Sequence, residues 1–500
     1  MEALIYISVL VLAWYIFDRY LITKIKNLPP TTWSALSVIG FRSYFKRPIH
    51  RILSHIANCH GPILLLRFGC RRVLLISSAS AAEDLFKNND VVFANRPKLV
   101  PGKVFGCNFT NLAWASYGSH WMHLRSCVSC FEKQQFGRLP DLLADEVKLL
   151  IRQLYCNNND AIQLKPMFQE LVFNVMMRMY AGKSFSGRSC RYKTTGQRKE
   201  NELISLLEYA IHSFKMTTAE SDLTYFRPIL KLLGVTGLEQ RCTQLQRKGD
   251  SLIHNLINKI RENSLKEDSL IQFLLDKQKE DPLNYTKEII SGLVLELVSA
   301  GINPSVGILE WAFALLLNHP QVLQKAQNEI DNNVGNKRFL NQSDIDNLPY
   351  LKCIVNETMR LYPAAPLLVP HESSKDCKVG GYNVPKGTML MVNVWAIHND
   401  PNTWEKPRNF NPERFEGIVG KDEFKLMPFG HGLRSCPGKH MAMRVITMAL
   451  GSLVHCFDWG VFGEERVDMT EQTGLALFKD KPLMVVCRPR SKMNDLLSQI

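Results

Sequence analysis

The 500-residue chain has no low-complexity stretch, no internal repeat and no linker that would divide it into halves. Length alone makes two domains the default; with no divider, one large body is expected. It also lacks a disulfide pattern. Its thirteen cysteines are odd in number and irregularly spaced, which excludes a disulfide framework and points to reduced thiols. Cys127 and Cys130 form a Cys-x-x-Cys pair with no second pair and no histidine cluster beside it, so packing is expected there in preference to zinc or redox chemistry. The formal charge of +14 is scattered, without a clustered basic arm or an aromatic-interleaved stripe. That excludes nucleic acid as partner and suits an anionic membrane face or an acidic protein.

The N-terminus lacks both a basic leader and a small-residue cleavage site, so a removed signal peptide is not expected. Residues 3–17 are uncharged, Asp18 and Arg19 interrupt, and residues 20–23 complete about twenty residues, enough to cross a bilayer. Lys24 and Lys26 follow and place the body on the cytoplasmic side. The expectation is a single-pass anchor over residues 1–23, a hinge over 24–40 stiffened by Pro29 and Pro30, and a catalytic body over 41–500. In a cytosolic body the sequons at Asn108, Asn284, Asn341 and Asn356 are unused.

Residues 63–68 and 72–76 are apolar runs containing β-branched residues around Gly69 and read as a hairpin. Residues 99–118 read as an irregular loop that faces a ligand. Residues 140–265 have helical periodicity broken around 226–237, and residues 287–317 form one long helix. The chemistry sits in Phe429-Gly430-His431-Gly432-Leu433-Arg434-Ser435-Cys436-Pro437-Gly438. Its glycines permit tight turns close to something flat. Cys436 precedes a helix N-terminus, where free N–H groups favour a thiolate. Alone, such a cysteine is usually inert packing; held as a thiolate it can be the axial ligand of a haem iron.

Phe429, Gly432, Arg434, Cys436 and Gly438 fill the pattern Phe-x-x-Gly-x-Arg-x-Cys-x-Gly. Trp121 and Arg125, Glu357 and Arg360, and Arg414 within Pro412-Glu413-Arg414-Phe415 follow in matching order and spacing. In these residues, and over essentially its whole length, the chain resembles the cytochrome P-450 family. The resemblance implies a mainly α fold, a large helical body with a small β-sheet lobe. It implies haem b (iron protoporphyrin IX) ligated by Cys436 and cradled by Phe429, Gly430 and Gly438, with Arg434, Trp121, Arg125 and His371 toward the propionates. Glu357, Arg360 and Arg414 would form an ion network, and Leu297, Ala300, Leu367, Val369 and Leu475 a substrate pocket. The segment 367–369 resembles a pocket-lining strand, residues 473–478 the last substrate-contact turn, and Tyr225, Phe226, Leu230 and Leu233 a mobile lid or a membrane contact. His431 reads as a surface or partner contact.

The finer match, in residues 117–121, Glu310-Trp311 and Met469-Thr470-Glu471, is to plant microsomal members that include isoflavonoid and lignan oxidases. It implies a monomer in the endoplasmic reticulum membrane that contacts lipid and takes electrons from NADPH through NADPH-cytochrome P-450 reductase. The reductase would dock near Lys439 and Arg444, and the substrate would be a small apolar plant metabolite.

One part of the resemblance fails. Ala300-Gly301 and Glu310-Trp311 fix the register of the long helix, and where the family carries an acid and a threonine this chain has Asn303 and Pro304. Asparagine does not ionise, and proline has neither hydroxyl nor N–H. Ser305 points about 100° round the helix from its neighbour. Three readings follow: hydroxylation with protons relayed by waters or a substrate hydroxyl; chemistry less dependent on the relay, such as ring closure, phenol coupling, bridge formation or rearrangement; or a degraded copy. An isomerase or cyclase independent of reductase is the alternative to an oxidase.

Overall fold

The computed structural model describes residues 26–31, 48–68, 71–135, 137–157, 161–182, 202–218, 237–262, 268–417, 423–463 and 465–500. The expected anchor over 1–23, most of the hinge, and Tyr225, Phe226, Leu230 and Leu233 lie outside these residues. In chain order, the helices that frame the site are α1 (Ile49–His60), α2 (Ser119–Gln135), α3 (Leu139–Tyr155), α4 (Leu164–Ala181), α5 (Glu202–Thr218), α6 (Leu238–Glu262), α7 (Lys287–Asn318), α8 (Pro349–Leu361) and α9 (Lys439–Cys456).

The central element is α7, apolar on nearly every face because it is covered on nearly every side. Thr286 starts it, its hydroxyl accepting the Ile289 N–H at 3.3 Å. Pro320, which opens the next helix, follows its end. Helices α4, α5, α6, α8 and α9 pack against it. It is long and apolar enough to cross a membrane, but 61% of its most apolar window is buried inside the body; here the length serves a core.

The sheet lobe is built from β1 (Ile63–Phe68), β2 (Arg71–Ile76), β4 (His371–Glu372) and β7 (Met389–Val392), after β3 (Ile162–Gln163), β5 (Cys377–Val379) and β6 (Tyr382–Val384) are set aside in smaller sheets. The hairpin pairs Ile63 with Ile76 and Phe68 with Arg71. β2 then runs parallel to β7, and β4 closes the sheet in the order β1-β2-β7-β4. Leu64, Leu66, Val73 and Leu75 face α1 and pack with Leu53 and Ala57. Strands β8 (Phe457–Val461) and β9 (Met484–Pro489) pair beside β3.

Two local expectations are corrected. Residues 99–118 contain a short helix, Val100–Val104, followed by three successive left-handed residues, Cys107, Asn108 and Phe109, with φ of 46°, 55° and 65°. Residues 367–369 are turn and bend, with Leu368 at φ 53°, and the strand begins only at His371. A left-handed residue cannot continue a β-ladder.

Candidate active site

The loop before α9 folds on its own backbone. The Cys436 N–H donates to the Phe429 carbonyl at 2.9 Å, and Gly430 N–H to Met427 O at 3.1 Å. Gly430 and Gly432 sit at φ 69° and 71°, where a β-carbon is strained. At Gly432 any side chain would also run into the Asp90 carboxylate, which accepts the Leu433 N–H at 2.8 Å. Asp90 therefore ties this loop to the end of the preceding Ala79–Asn89 helix.

Cys436 is solvent-accessible although protein crowds its sulfur, so it lies on the floor of a cleft. Burial pushes its thiol up and outweighs the Gly438 N–H on the sulfur and the nearby Arg125 and Lys439, which pull the other way. The Gly438 N–H and the two cations still favour the thiolate, as the helix end was expected to, and a coordinated metal ion would favour it further.

The middle of α7 is open on one face. Ala300 is exposed and Leu297, Gly301 and Pro304 are half-buried, while Val298, Ile302 and Val306 behind them are buried. Pro304 sits inside the helix without breaking it. Having no N–H, it leaves the Ala300 carbonyl without its intrahelical donor. Its neighbours point elsewhere. The Asn303 amide donates to the Ala210 carbonyl on α5 at 3.4 Å, and the Ser305 hydroxyl donates back to Gly301 O at 3.0 Å. Neither side chain is free to move a proton into the cleft.

The edge of the cleft is cationic. Arg434 donates to the carbonyls of Ala94 (2.8 Å), Leu112 (3.1 Å) and Ala115, and its guanidinium lies 4.3 Å over the Trp121 ring. Arg96, buried and absent from the motif-based expectations, donates to Ala113, Val369 and Pro370 carbonyls. Burial, then repulsion from Arg434, pushes Arg96 down to about 9; burial pushes Arg434 down to about 10. Both remain cations at neutral pH, and neither has a carboxylate in an ion pair among the described residues.

Arg125 stands close enough to Cys436 to feel its charge. The Trp121 N–H is committed to Leu112 O at 3.0 Å. His371 donates from Nδ1 to Phe93 O at 2.8 Å and is held neutral by burial and by Arg96 and Arg434; its Nε2 is left as an acceptor. His431 packs on Phe424 and Phe86 at 4.4 and 5.7 Å, away from the sulfur.

These residues fit an iron porphyrin. There is one soft sulfur ligand with an N–H on it, an open apolar face on α7, and two guanidiniums, buried Arg96 and half-buried Arg434, that an acidic edge would balance. Of the expected pocket residues, Leu297, Ala300, Val369 and Leu475 keep exposure, Val369 being 45% exposed. Leu367 does not: it is 2% exposed and packs with Leu64, Trp114 and Met389 in the sheet lobe, because the turn at Leu368 swings it inward.

Behind the site, Glu357 is fully buried. It accepts Arg360 through both oxygens at 2.7 and 2.8 Å, Arg414 at 3.0 Å and the Asn411 N–H at 3.0 Å. Arg360 also donates to the His398 and Pro407 carbonyls. The network joins α8 to the segment before the cysteine loop. Cys127 is buried and Cys130 exposed on α2, and no group of three metal-ligating side chains occurs among the described residues.

A family model described as Cytochrome P450 matches residues 27–487. The (+)-piperitol/(+)-sesamin synthase of Sesamum radiatum is 39% identical over 100% of this chain and 99% of its own length. An isoflavone 2'-hydroxylase of Glycyrrhiza echinata is 37% identical over 95% of each chain, and a cytochrome P450 of Catharanthus roseus 40% identical over 95% and 94%. Among solved structures, a zebra fish cytochrome P450 with progesterone superposes with a TM-score of 0.77 at 25% identity, covering 89% of this chain and 100% of that one.

Proposed function

The chain belongs to the cytochrome P450 family of monooxygenases, and on that footing we propose that it is a haem b–thiolate oxidase acting on a small, apolar plant specialised metabolite. The observation that carries this reading is the Cys436 loop, folded on its own backbone with its cysteine accessible, together with the open apolar face in the middle of α7. When bound, the haem supplies reductive activation of dioxygen, with electrons from NADPH passed by a membrane reductase. The chain's own residues do the rest. Cys436 holds the iron; Arg434 and Arg96, with Arg125, balance the acidic edge; Leu297, Ala300, Val369 and Leu475 exclude water and orient the substrate.

The residues 1–23 anchor would hold the body on the cytosolic face of the endoplasmic reticulum as a monomer. Lys439, exposed at the start of α9, supports a basic landing surface for an acidic reductase. Asn303 and Ser305 are tied to backbone carbonyls, which supports hydroxylation with externally relayed protons or oxidative ring or bridge formation.

Turnover with labelled dioxygen, run with and without reductase and NADPH, tests the reading. Product that needs both and dioxygen sustains it. Product formed anaerobically without reductase would establish the isomerase or cyclase alternative.

A further inference from the structure

Away from the cleft, α6, the Leu270–Glu280 helix and the start of α7 bound a cavity of about 260 Å³. Its floor is Ile257, Leu275 and Ile290, all buried. Its rim is His254, Arg261 and Lys287, with Asn258 between them, all exposed. His254, Ile257, Asn258 and Arg261 follow the i, i+3, i+4, i+7 spacing that puts them on one face of α6. Lys287 and Ile290 stand one turn apart on α7. No carboxylate lines the cavity. Ala300 lies about 15 Å further along α7 than Ile290, so the cavity and the cleft are separate places.

Nearby cations on the same helices hold carboxylates. Lys248 and Lys259 of α6 meet Glu208 and Glu202, and Lys277 and Lys279 meet Glu280 and Asp276. Arg261 and Lys287 form no such pair among the described residues. The two acids that feel His254 are bonded elsewhere: Asp250 accepts the Gln246 amide at 2.9 Å, and Glu288 turns to the Thr286 hydroxyl and its own N–H. Arg261 donates from Nη2 to the Gln278 side-chain oxygen at 2.6 Å, which steadies the guanidinium and leaves its other N–H groups over. Lys287 stands where the free N–H groups of α7 add further positive potential. An apolar floor thus lies under a rim of two unbalanced cations and an imidazole.

We propose that this cavity is a binding site for a small amphipathic carboxylate, with its head at Arg261 and Lys287 beside His254 and its apolar body on Ile257, Leu275 and Ile290. At about 30 Å³ per water-sized group the volume holds roughly nine such groups, the size of an aryl ring with a short arm. Arg261 supplies a planar fork for the two carboxylate oxygens. A bare inorganic anion leaves the floor uncovered, and a neutral molecule leaves both cations unbalanced. The bound molecule bridges α6, the Leu270–Glu280 helix and α7. This site goes beyond the oxidase reading and shares no residue with the cleft.

The test is a calorimetric titration of the haem-loaded full-length protein with hydrocinnamate, with hydrocinnamyl alcohol and with inorganic phosphate. The acid is expected to bind with a Kd of roughly 0.1–1 mM, the scale for a ligand of about eleven non-hydrogen atoms. The alcohol should bind at least about tenfold more weakly, and phosphate at equal concentration should not displace the acid. Haem absorption tells the two places apart: acid in the cleft shifts it, and acid in this cavity does not. Arg261→Gln and Lys287→Glu change exposed side chains, and an acid in the first turn of a helix is favourable, so both variants should fold. Each should weaken the acid by about threefold to tenfold. Lys148→Glu, a charge reversal at an exposed position on α3, should leave binding as in the parent. Alcohol that binds as tightly as the acid, phosphate that displaces it, or parent-like binding in both Arg261→Gln and Lys287→Glu overturns the proposal. Protein that takes up no haem defeats the oxidase reading instead, and the same titration still judges the cavity.

Discussion

Glu357→Ala is the substitution whose consequence the structure sets most tightly. The carboxylate and Arg360 are both 0% exposed, and Glu357 receives four charge-assisted bonds, three from Arg360 and Arg414 and one from the Asn411 N–H. Removing it leaves a buried guanidinium with only carbonyl partners, which costs about 3–5 kcal/mol. Unfolding entropy near 2.1 cal/mol/K per residue gives roughly 1 kcal/mol/K for a chain of this length, so thermal unfolding at a fixed scan rate should fall by about 3–5 °C. Haem release should accelerate with it, since the network braces the segment leading to Cys436. Arg414→Ala should cost less, because Arg414 is 10% exposed and Glu357 keeps Arg360. The Glu357→Ala/Arg360→Ala double variant should lose clearly less than the two single losses together, because neither charge is then left alone. An unfolding temperature within about 1 °C of the parent for Glu357→Ala, or strict additivity in the double variant, would refute the reasoning.

Other outcomes follow from the same geometry. Burial holds Glu296 at about 8 and Glu132 at about 7, both above the free value of 4.5. The folded chain keeps protons that the unfolded chain releases, so stability falls as pH rises from about 4.5 to 8, and Glu296→Gln or Glu132→Gln should flatten that limb in unfolding scans. Glu471 behaves oppositely: its bonds to Arg51 and His50 overcome burial and hold it at about 2. The stability it adds is complete above about 4.5 and lost as pH falls toward 2, a loss that Glu471→Ala should abolish. Restoring the family's pair with Asn303→Asp and Pro304→Thr should raise product formed per NADPH; unchanged coupling would mean that the missing pair does not limit proton supply. Brief alkylation of the folded protein should label Cys130 and spare Cys127, checked by peptide mass.

Fold and site were legible in the sequence to different depths. The cysteine loop, the hairpin and the central helix follow from local rules: glycines where φ is positive, two short apolar runs around a glycine, and a long apolar run with a threonine cap. The ion network was legible because Glu357 and Arg360 are one helical turn apart. What local spacing could not reveal was direction. Trp121 turned its N–H to Leu112, and Leu367 turned into the sheet lobe, because a loop 9 residues away and a left-handed neighbour decided those orientations.

Arg96 was missed because its role depends on carbonyls from residues 113, 369 and 370, contacts that no sequence period encodes. The thiol's upward shift was also out of reach, since only the packed structure shows that burial exceeds the pull of the helix end.

The central claim is that sulfur of residue 436 bonds the haem iron. Reduced, haem-loaded protein exposed to carbon monoxide should absorb maximally at about 450 nm, and Cys436→Ser should lose that maximum while keeping the loop's backbone bonds. A haem-loaded parent without the maximum, or a Cys436→Ser variant that retained it, would contradict thiolate ligation.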